Sequence, residues 1–468
     1  MVFSGLTFLL LFLPALLVLY FLSRSVRWRN GVLVIFSLIF YAWGEPIMVL
    51  LLIGTTLFNY LVALWMNRAS SPGGKKLLLI LGVAGSLAGL VYFKYAGFLL
   101  STLSSLLGMD IPFTAPRLPI GISFYTFQIL TYTVDVYRGK TGVQRNFWRL
   151  LLYVSCFPQL IAGPIVQYSD VAAALDERTT STEDFIDGVR RFLLGLGKKV
   201  LLANTCGSFL LLCLPADTAP QSIGGAWLSA FLYSLQLYFD FSAYSDMAIG
   251  LGRVLGFTYK ENFLYPYFSV SPTDFWRRWH ISLGSFFRDY VYIPLGGSRR
   301  GKGRRMLNLL IVWALTGLWH GAAWNFVIWG LYWFVWLLID KDLAKLWDRV
   351  PKLLRWAFTL LAAVVGWTIF YYTDMTALSS HLLALFGGGG LPWVDAQTIS
   401  GLKQYALFLP VACLAAAPLA PRLKRAAQNK PALGFLGTVF AVLVGALSLL
   451  FLIRQSYNPF IYFRFSCL

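Results

Sequence analysis

The chain is expected to fold as an all-α protein that crosses a membrane many times. Three observations carry that expectation. Hydrophobic residues make up 58% of the 468 positions and charged residues only 13%, whereas soluble domains carry roughly 25% charge. Mean hydropathy is +0.67. Apolar runs recur from end to end without a long polar linker, so one membrane domain over 1–468 is expected rather than a string of soluble ones.

Runs long enough to cross ~30 Å of hydrocarbon lie near 6–22, 31–43, 47–66, 77–93, 119–134, 200–214, 222–250, 356–373, 403–420 and 432–453. The first lacks a basic leader and a small-x-small cleavage site before Arg24, so it reads as a retained span and not a signal peptide. Two more, 148–166 and 307–339, are short or interrupted by Pro158, Pro164, Gly317 and Gly321. Irregular backbone at membrane depth is tolerated where protein or a watery cavity surrounds it, which makes both segments candidates for a site.

The net charge of +19 does not point to nucleic acid, because the basic residues fall in short loops between apolar runs. Those loops hold Arg24–Arg29, Arg68–Lys76, Arg138–Arg149, Arg253–Arg305 and Arg422–Lys430. Placed together on the cytoplasmic side, they put both termini outside. The external loops around Glu45–Pro46, 101–117, 215–221 and 374–400 are then short. This topology holds if 148–166 and 307–339 enter and leave on the cytoplasmic side. Segments 170–199 and 271–305 are expected to stay on that surface. The first carries a capping pattern at Ser181–Asp184 followed by Phe185, Val189 and Phe192 at helical spacing. The second is read as a surface helix followed by a flexible GGSRRGKGRR loop, with eight basic residues against Asp289 in 277–305.

Candidate chemistry concentrates on histidine, of which there are three. His320, in TGLWHGAAWNF, has glycines for close approach and Trp319, Trp324, Asn325 and Trp329 nearby. An imidazole desolvated there stays neutral and can accept a proton from a hydroxyl or thiol. The structural alternative is a histidine bonded to a backbone carbonyl inside a helix bundle. His280 closes the string Trp276-Arg277-Arg278-Trp279-His280, as a second proton-handling or donor-orienting group that approaches His320 through the fold, or as an interfacial anchor. His381 reads as structural, in or near an external loop. Asp240 and Asp246 stand in an apolar run with Tyr244 one turn from Asp240. Intramembrane carboxylates need partners, and an arginine of 277–288 or a catalytic or transport role would each meet that need. Gln128, Asp135 and Gln159 are buried polar candidates for which a structural network is expected.

Other signals are negative. Five cysteines (Cys156, Cys206, Cys213, Cys413 and Cys467) show no metal-ligand spacing and no disulfide framework. Gly296–Lys302 copies the first seven positions of a phosphate-binding loop, but Gly303 stands where the magnesium-binding hydroxyl belongs. GLGRVLG at 250–256 misses dinucleotide spacing by one residue. Neither a Gly-x-Ser-x-Gly elbow nor a Ser-His-Asp arrangement occurs, so any covalent nucleophile comes from substrate or partner.

FWRRWHISLGSFFRDYVYIPLGG and LTGLWHGAAWNFVIWGLYW resemble the membrane-bound O-acyltransferases, in particular their bacterial alginate O-acetylation branch. So do LPIGISFYTFQILTYTVDVYRG, FPQLIAGPIVQY and LYFDFSAYSDMAIGLGRVLGF; the resemblance spans about 118–340 and then becomes diffuse. It implies a ring of about 10–12 transmembrane helices around a thin centre of re-entrant and tilted helices, in the bacterial inner membrane. His320 matches the family's essential histidine, and His280 its upstream conserved polar position. The implied donor is a cytoplasmic acyl thioester, acetyl-CoA or a similar molecule, with no bound cofactor or metal. The implied acceptor is a polysaccharide, completed by an extracytoplasmic acetyltransferase partner.

Asp240, Tyr244, Asp246, Trp319, Asn325 and Gln128 are then expected to support the substrate path. Arg277, Arg278, Arg288 and Lys302 would meet the donor or a carrier protein, unless their charge serves anionic lipid instead. Two alternatives stay open: D-alanyl or other acyl transfer to an envelope polymer from an acidic carrier protein, and a proton-coupled transporter that uses His280, His320, Asp240 and Asp246 as a relay.

Overall fold

Helices are the only regular elements among the described residues, as the apolar runs require. The computed structural model describes every residue except 216–217, 428–429, 455–457, 459 and 462–468. Cys467 and part of the expected 215–221 loop lie outside the described residues. The chain is an all-α, multi-pass membrane protein. Five described helices are long and apolar enough to span a bilayer: Met48–Arg68, Pro72–Leu107, Thr182–Cys213, Lys352–Tyr371 and Pro431–Arg454. A sixth span exists if Ala396–Gln404 and Phe408–Ala416, bent by 73°, count as one. Several other apolar runs form helices that are shorter or that bury polar groups, such as the 16-residue Ile122–Tyr137 with Thr126, Gln128, Thr131 and Asp135.

Two compact units divide the chain. The first comprises residues 1–192 and 244–261. Its core is aromatic: Phe40 packs on Phe157 with ring centroids 5.4 Å apart, Phe3 on Phe8 at 5.0 Å, and Phe3 stacks on Tyr244 at 4.5 Å. A buried polar bridge joins three helices, with Asn59 donating to Ser86 (2.8 Å) and accepting from Thr133 (2.9 Å). Pro158 and Pro164 do interrupt the 148–166 run. It resolves into Phe147–Ser155, capped by Asn146, and the single turn Phe157–Leu160.

The second unit comprises 193–243 and 262–461. Its centre is a helical hairpin, Lys302–His320 and Trp324–Asp342, crossed by Lys352–Tyr371. Here the structure corrects the reading of Gly317. This glycine interrupts nothing; it lies inside the first helix and lets the two helices touch backbone to backbone. A Cβ on Gly317 would sit 2.2 Å from the Phe326 carbonyl oxygen, and one on Gly330 2.4 Å from that of Trp313. Small residues set such contacts between membrane helices. The break comes at Gly321–Ala323, where both of these residues are extended (φ −165° and −150°).

Two further boundaries differ from expectation. The Ser181 cap is present, its Oγ accepting from the Asp184 N–H at 3.0 Å. The amphipathic helix it starts runs without a stop through a π-helical turn at Lys198–Ala203 into Asn204–Cys213. The expected surface segment and the next span are therefore one helix. Lys302, Arg304 and Arg305 open the first hairpin helix and do not belong to a loop.

Candidate active site

His320 sits at the tip of the hairpin, where the first helix ends. Its half-buried ring is held edge-to-face by Trp319 (5.0 Å), Trp329 (5.0 Å) and Phe370 (5.1 Å). Gly321 is required beneath it, because a Cβ there would lie 2.0 Å from the Phe326 ring. Asn325, fully buried, donates to the Phe370 carbonyl at 3.2 Å and so ties the tip to the end of Lys352–Tyr371. Its Oδ1 has no partner among the described residues. Trp324 is exposed, and Phe370 packs edge-to-face on the His320 ring from the end of Lys352–Tyr371.

His280 contacts the same indole. Its ring lies 5.8 Å from that of Trp319 and 4.7 Å from Phe241. The two histidines, forty residues apart in sequence, thus share Trp319. The short helix Pro272–Arg278 is started by Ser271, whose Oγ accepts from the Asp274 N–H at 3.2 Å. It stops at Trp279, and His280 takes a left-handed backbone (φ 45°, ψ 54°) before Ile281–Phe287 begins. Burial pushes the His280 imidazole down to about 3, so it is neutral near physiological pH. Its Nδ1 lies 3.2 Å from Asn262 Oδ1.

Between the basic surface and His320 stands a cluster of indoles. Trp276, adjacent to exposed Arg277, packs on Trp313 (4.7 Å), Trp333 (5.1 Å) and Trp329 (5.5 Å). The buried Nε1–H groups of Trp276, Trp329 and Trp333 have no acceptor among the described residues. Indole donates only, and buried donors without partners are rare enough to signal a function. Trp276 and Trp329 thus join the residue beside exposed Arg277 to His320 by successive ring contacts.

The remaining candidates separate. Asp240 pairs with Lys199 at 2.6 Å, both side chains almost fully buried, and accepts from the Ile461 N–H at 2.7 Å. Asp246 pairs with Arg191 at 2.8 Å, and that guanidinium also holds Glu261 at 2.5 Å. Of the arginines expected to serve them, Arg278 is engaged by Asp274 (2.8 Å) and Arg288 by Asp289 (2.7 Å). Lys302 is exposed. Asp135 does join a network, through Lys140 (3.1 Å), and Gln159 Nε2 donates to the Tyr153 carbonyl at 2.6 Å. Gln128 does not: it is fully buried, and neither end of its amide has a partner among the described residues.

His381 is buried in Met375–Leu385 and not in a loop, against Tyr372 Oη (2.7 Å) and the Ala226 carbonyl (3.1 Å). Cys156, Cys206 and Cys213 are buried and free, whereas Cys413 is exposed. No group of three metal-ligating side chains occurs among the described residues.

Asn262, Lys199, Arg191 and Phe370 were missed from sequence. A carboxylate in an apolar run demands a cation, and Lys198–Lys199 at the edge of the preceding apolar run was the available signal for Lys199. Asn262 and Phe370 gave none, since each acts through long-range packing.

The membrane-bound O-acyltransferase family model matches residues 140–378. The chain is 40% identical to the "Probable alginate O-acetylase AlgI" of Pseudomonas putida, over 99% of this chain and 100% of that protein. It is 31% identical to the peptidoglycan O-acetyltransferase of Helicobacter pylori, over 98% and 96%. Identity to the teichoic acid D-alanyltransferase of Bacillus subtilis is 30%, over 53% and 65%.

Proposed function

This chain belongs to the membrane-bound O-acyltransferase family and is an acyltransferase, and from that premise we propose that it moves an acetyl group from a cytoplasmic thioester across the bacterial inner membrane for O-acetylation of an extracytoplasmic polysaccharide. The observation that carries the reading is His320 at the tip of a backbone-to-backbone hairpin, ringed by Trp319, Trp329 and Phe370 and linked to exposed Arg277 through Trp276.

His320 acts as general base. It takes the proton of an acceptor hydroxyl, the oxygen attacks the thioester carbonyl carbon, the C–S bond breaks, and the departing thiolate receives a proton. The acceptor belongs to the polysaccharide or to an outer partner that completes the modification. The aromatic ring wall excludes water, so the thioester is not hydrolysed in transit. His280, whose ring also contacts Trp319, orients the donor. Exposed Arg277 and Lys302 meet the donor's phosphates. In this reading 1–468 works as one membrane domain, with the basic loops in the cytoplasm.

Acetate is favoured over D-alanine because near-full-length identity goes to proteins named for O-acetylation, whereas the D-alanyltransferase match covers about half the chain. A proton-relay transporter is not supported, since Asp240 and Asp246 are both held in ion pairs. Replacing His320 by Ala in a strain that makes the modified glycan tests the proposal. Ester content should fall by about 100-fold or more at unchanged protein abundance; wild-type ester content would rule the role out. Binding of labelled acetyl-CoA, against binding of an acidic carrier protein, separates the two donors.

A further inference from the structure

The side chain of Asn262 determines which nitrogen of His280 carries the proton. The backbone N–H of Ser282 donates to Asn262 Oδ1 over 3.1 Å. A donor at that position requires the oxygen of the amide to face it, so the orientation of Asn262 follows from the backbone. The Ser282 hydroxyl lies 2.9 Å from the same oxygen and 3.4 Å from His280 Nδ1. Asn262 Oδ1 is also 3.2 Å from His280 Nδ1. An amide oxygen only accepts, so Nδ1 carries the hydrogen and Nε2 keeps a bare lone pair.

That lone pair is buried and has no partner among the described residues. Around the ring are Phe241 and Trp319, with Phe263 at 6.3 Å. The left-handed backbone at His280 is unfavourable for a residue with a Cβ. It is held by the Ile281 N–H donating to the Asn262 carbonyl (3.0 Å) and the Leu264 N–H to that of Arg278 (2.9 Å). Fully buried Asn262 thus fixes both the backbone and the tautomer of His280. A strained residue that presents an unused acceptor is a pattern that belongs to ligand sites.

We propose that His280 Nε2 is the docking point for an uncharged hydrogen-bond donor of the substrate, and that Asn262 is its positioning residue. This rests on the acyl-transfer reading of the site. Two substrate groups have the required chemistry: an amide N–H of the thioester's pantetheine arm and the hydroxyl of the acceptor. An anionic phosphate or carboxylate does not, because it would face a lone pair.

The test is nitrogen NMR of detergent-solubilised protein carrying 15N-histidine, with His280→Gln assigning the resonance among three histidines. The wild type should show the Nδ1–H tautomer. A non-transferable acetyl-thioester analogue and a soluble acceptor oligosaccharide are titrated separately. The compound that moves the Nε2 resonance towards the hydrogen-bonded position supplies the donor group. Asn262→Ala should release the tautomer and lower turnover about 10- to 100-fold, as loss of a histidine's orienting partner does. Asn262→Asp keeps an acceptor oxygen and should restore the tautomer and most of the turnover. An Nε2–H tautomer in the wild type, or a resonance that neither compound moves, overturns the proposal. The spectrum is independent of His320, so transfer surviving in His320→Ala would sink the base assignment and leave this inference standing.

Discussion

Lys199 and Asp240 form an ion pair whose removal from one side should be far more damaging than removal from both. The two side chains are 3% and 2% exposed and 2.6 Å apart. Replacing Asp240 by Asn keeps the shape and an acceptor for the Ile461 N–H, but removes the negative charge beside the buried Lys199 ammonium. Breaking a buried ion pair from one side costs about 3–5 kcal/mol. Lys199→Met strands the carboxylate at a similar cost. The double variant Lys199→Met/Asp240→Asn carries no charge and should recover most of the loss, because a buried pair returns little net stability over neutral replacements. The coupling between the sites should then be several kcal/mol, far above the ~0.5 kcal/mol within which independent sites add. Thermal unfolding of the four proteins in one detergent, followed by tryptophan fluorescence, reads this directly. Single variants that unfold like the wild type, or a double variant whose loss is the sum of the singles, would refute the reasoning.

The other predictions concern the hairpin, the basic surface and acid stability. Gly317→Ala pushes a methyl to within 2.2 Å of the Phe326 carbonyl, so it should open the hairpin, cost about 1–3 kcal/mol and lower transfer more than it lowers abundance on an immunoblot. Arg277→Glu and Lys302→Glu should raise the KM for the donor about 10-fold with little change in kcat. Arg288→Ala, whose guanidinium is committed to Asp289, should raise it less, as steady-state kinetics would show. His280 is neutral in the folded protein down to about pH 3, whereas in the unfolded chain it protonates near 6.5. The unfolded state therefore binds one more proton between those values, and stability falls as pH drops through that window, by up to about 1.4 kcal/mol per pH unit. Above pH 6.5 the group contributes no slope. His280→Gln should remove this component from a series of melting curves; an unchanged acid slope would contradict it.

Much of this architecture could be read from residue order. Apolar runs give the helices directly, and the Ser181 cap and the break at Gly321 appear where the sequence places them. Gly317 shows the limit of local reading: a glycine inside a helix can mark a break or a close crossing, and only the facing Phe326 carbonyl decides. The continuous Thr182–Cys213 helix was divided because charge falls abruptly along it, yet backbone hydrogen bonding passes through a π-turn regardless of side-chain polarity.

At the site, the aromatic and glycine neighbours of His320 pointed to a packed imidazole, and Trp319 does lie against both histidines. Pairing of the carboxylates was legible as a need but not as a partner. Asp240 meets Lys199 and Asp246 meets Arg191 through helix packing that no spacing rule encodes. Phe370 packs on the His320 ring through a tertiary contact that local sequence does not encode.

Acyl transfer through His320 is the central claim, and reconstitution measures it without the cell. Purified protein in vesicles receives a labelled acetyl thioester on the donor side and acceptor with its outer partner on the other. Wild-type protein should deliver labelled ester to the acceptor side, and His320→Ala with an unchanged melting curve should deliver at least about 100-fold less. Ester formation by His320→Ala at the wild-type rate would contradict the account.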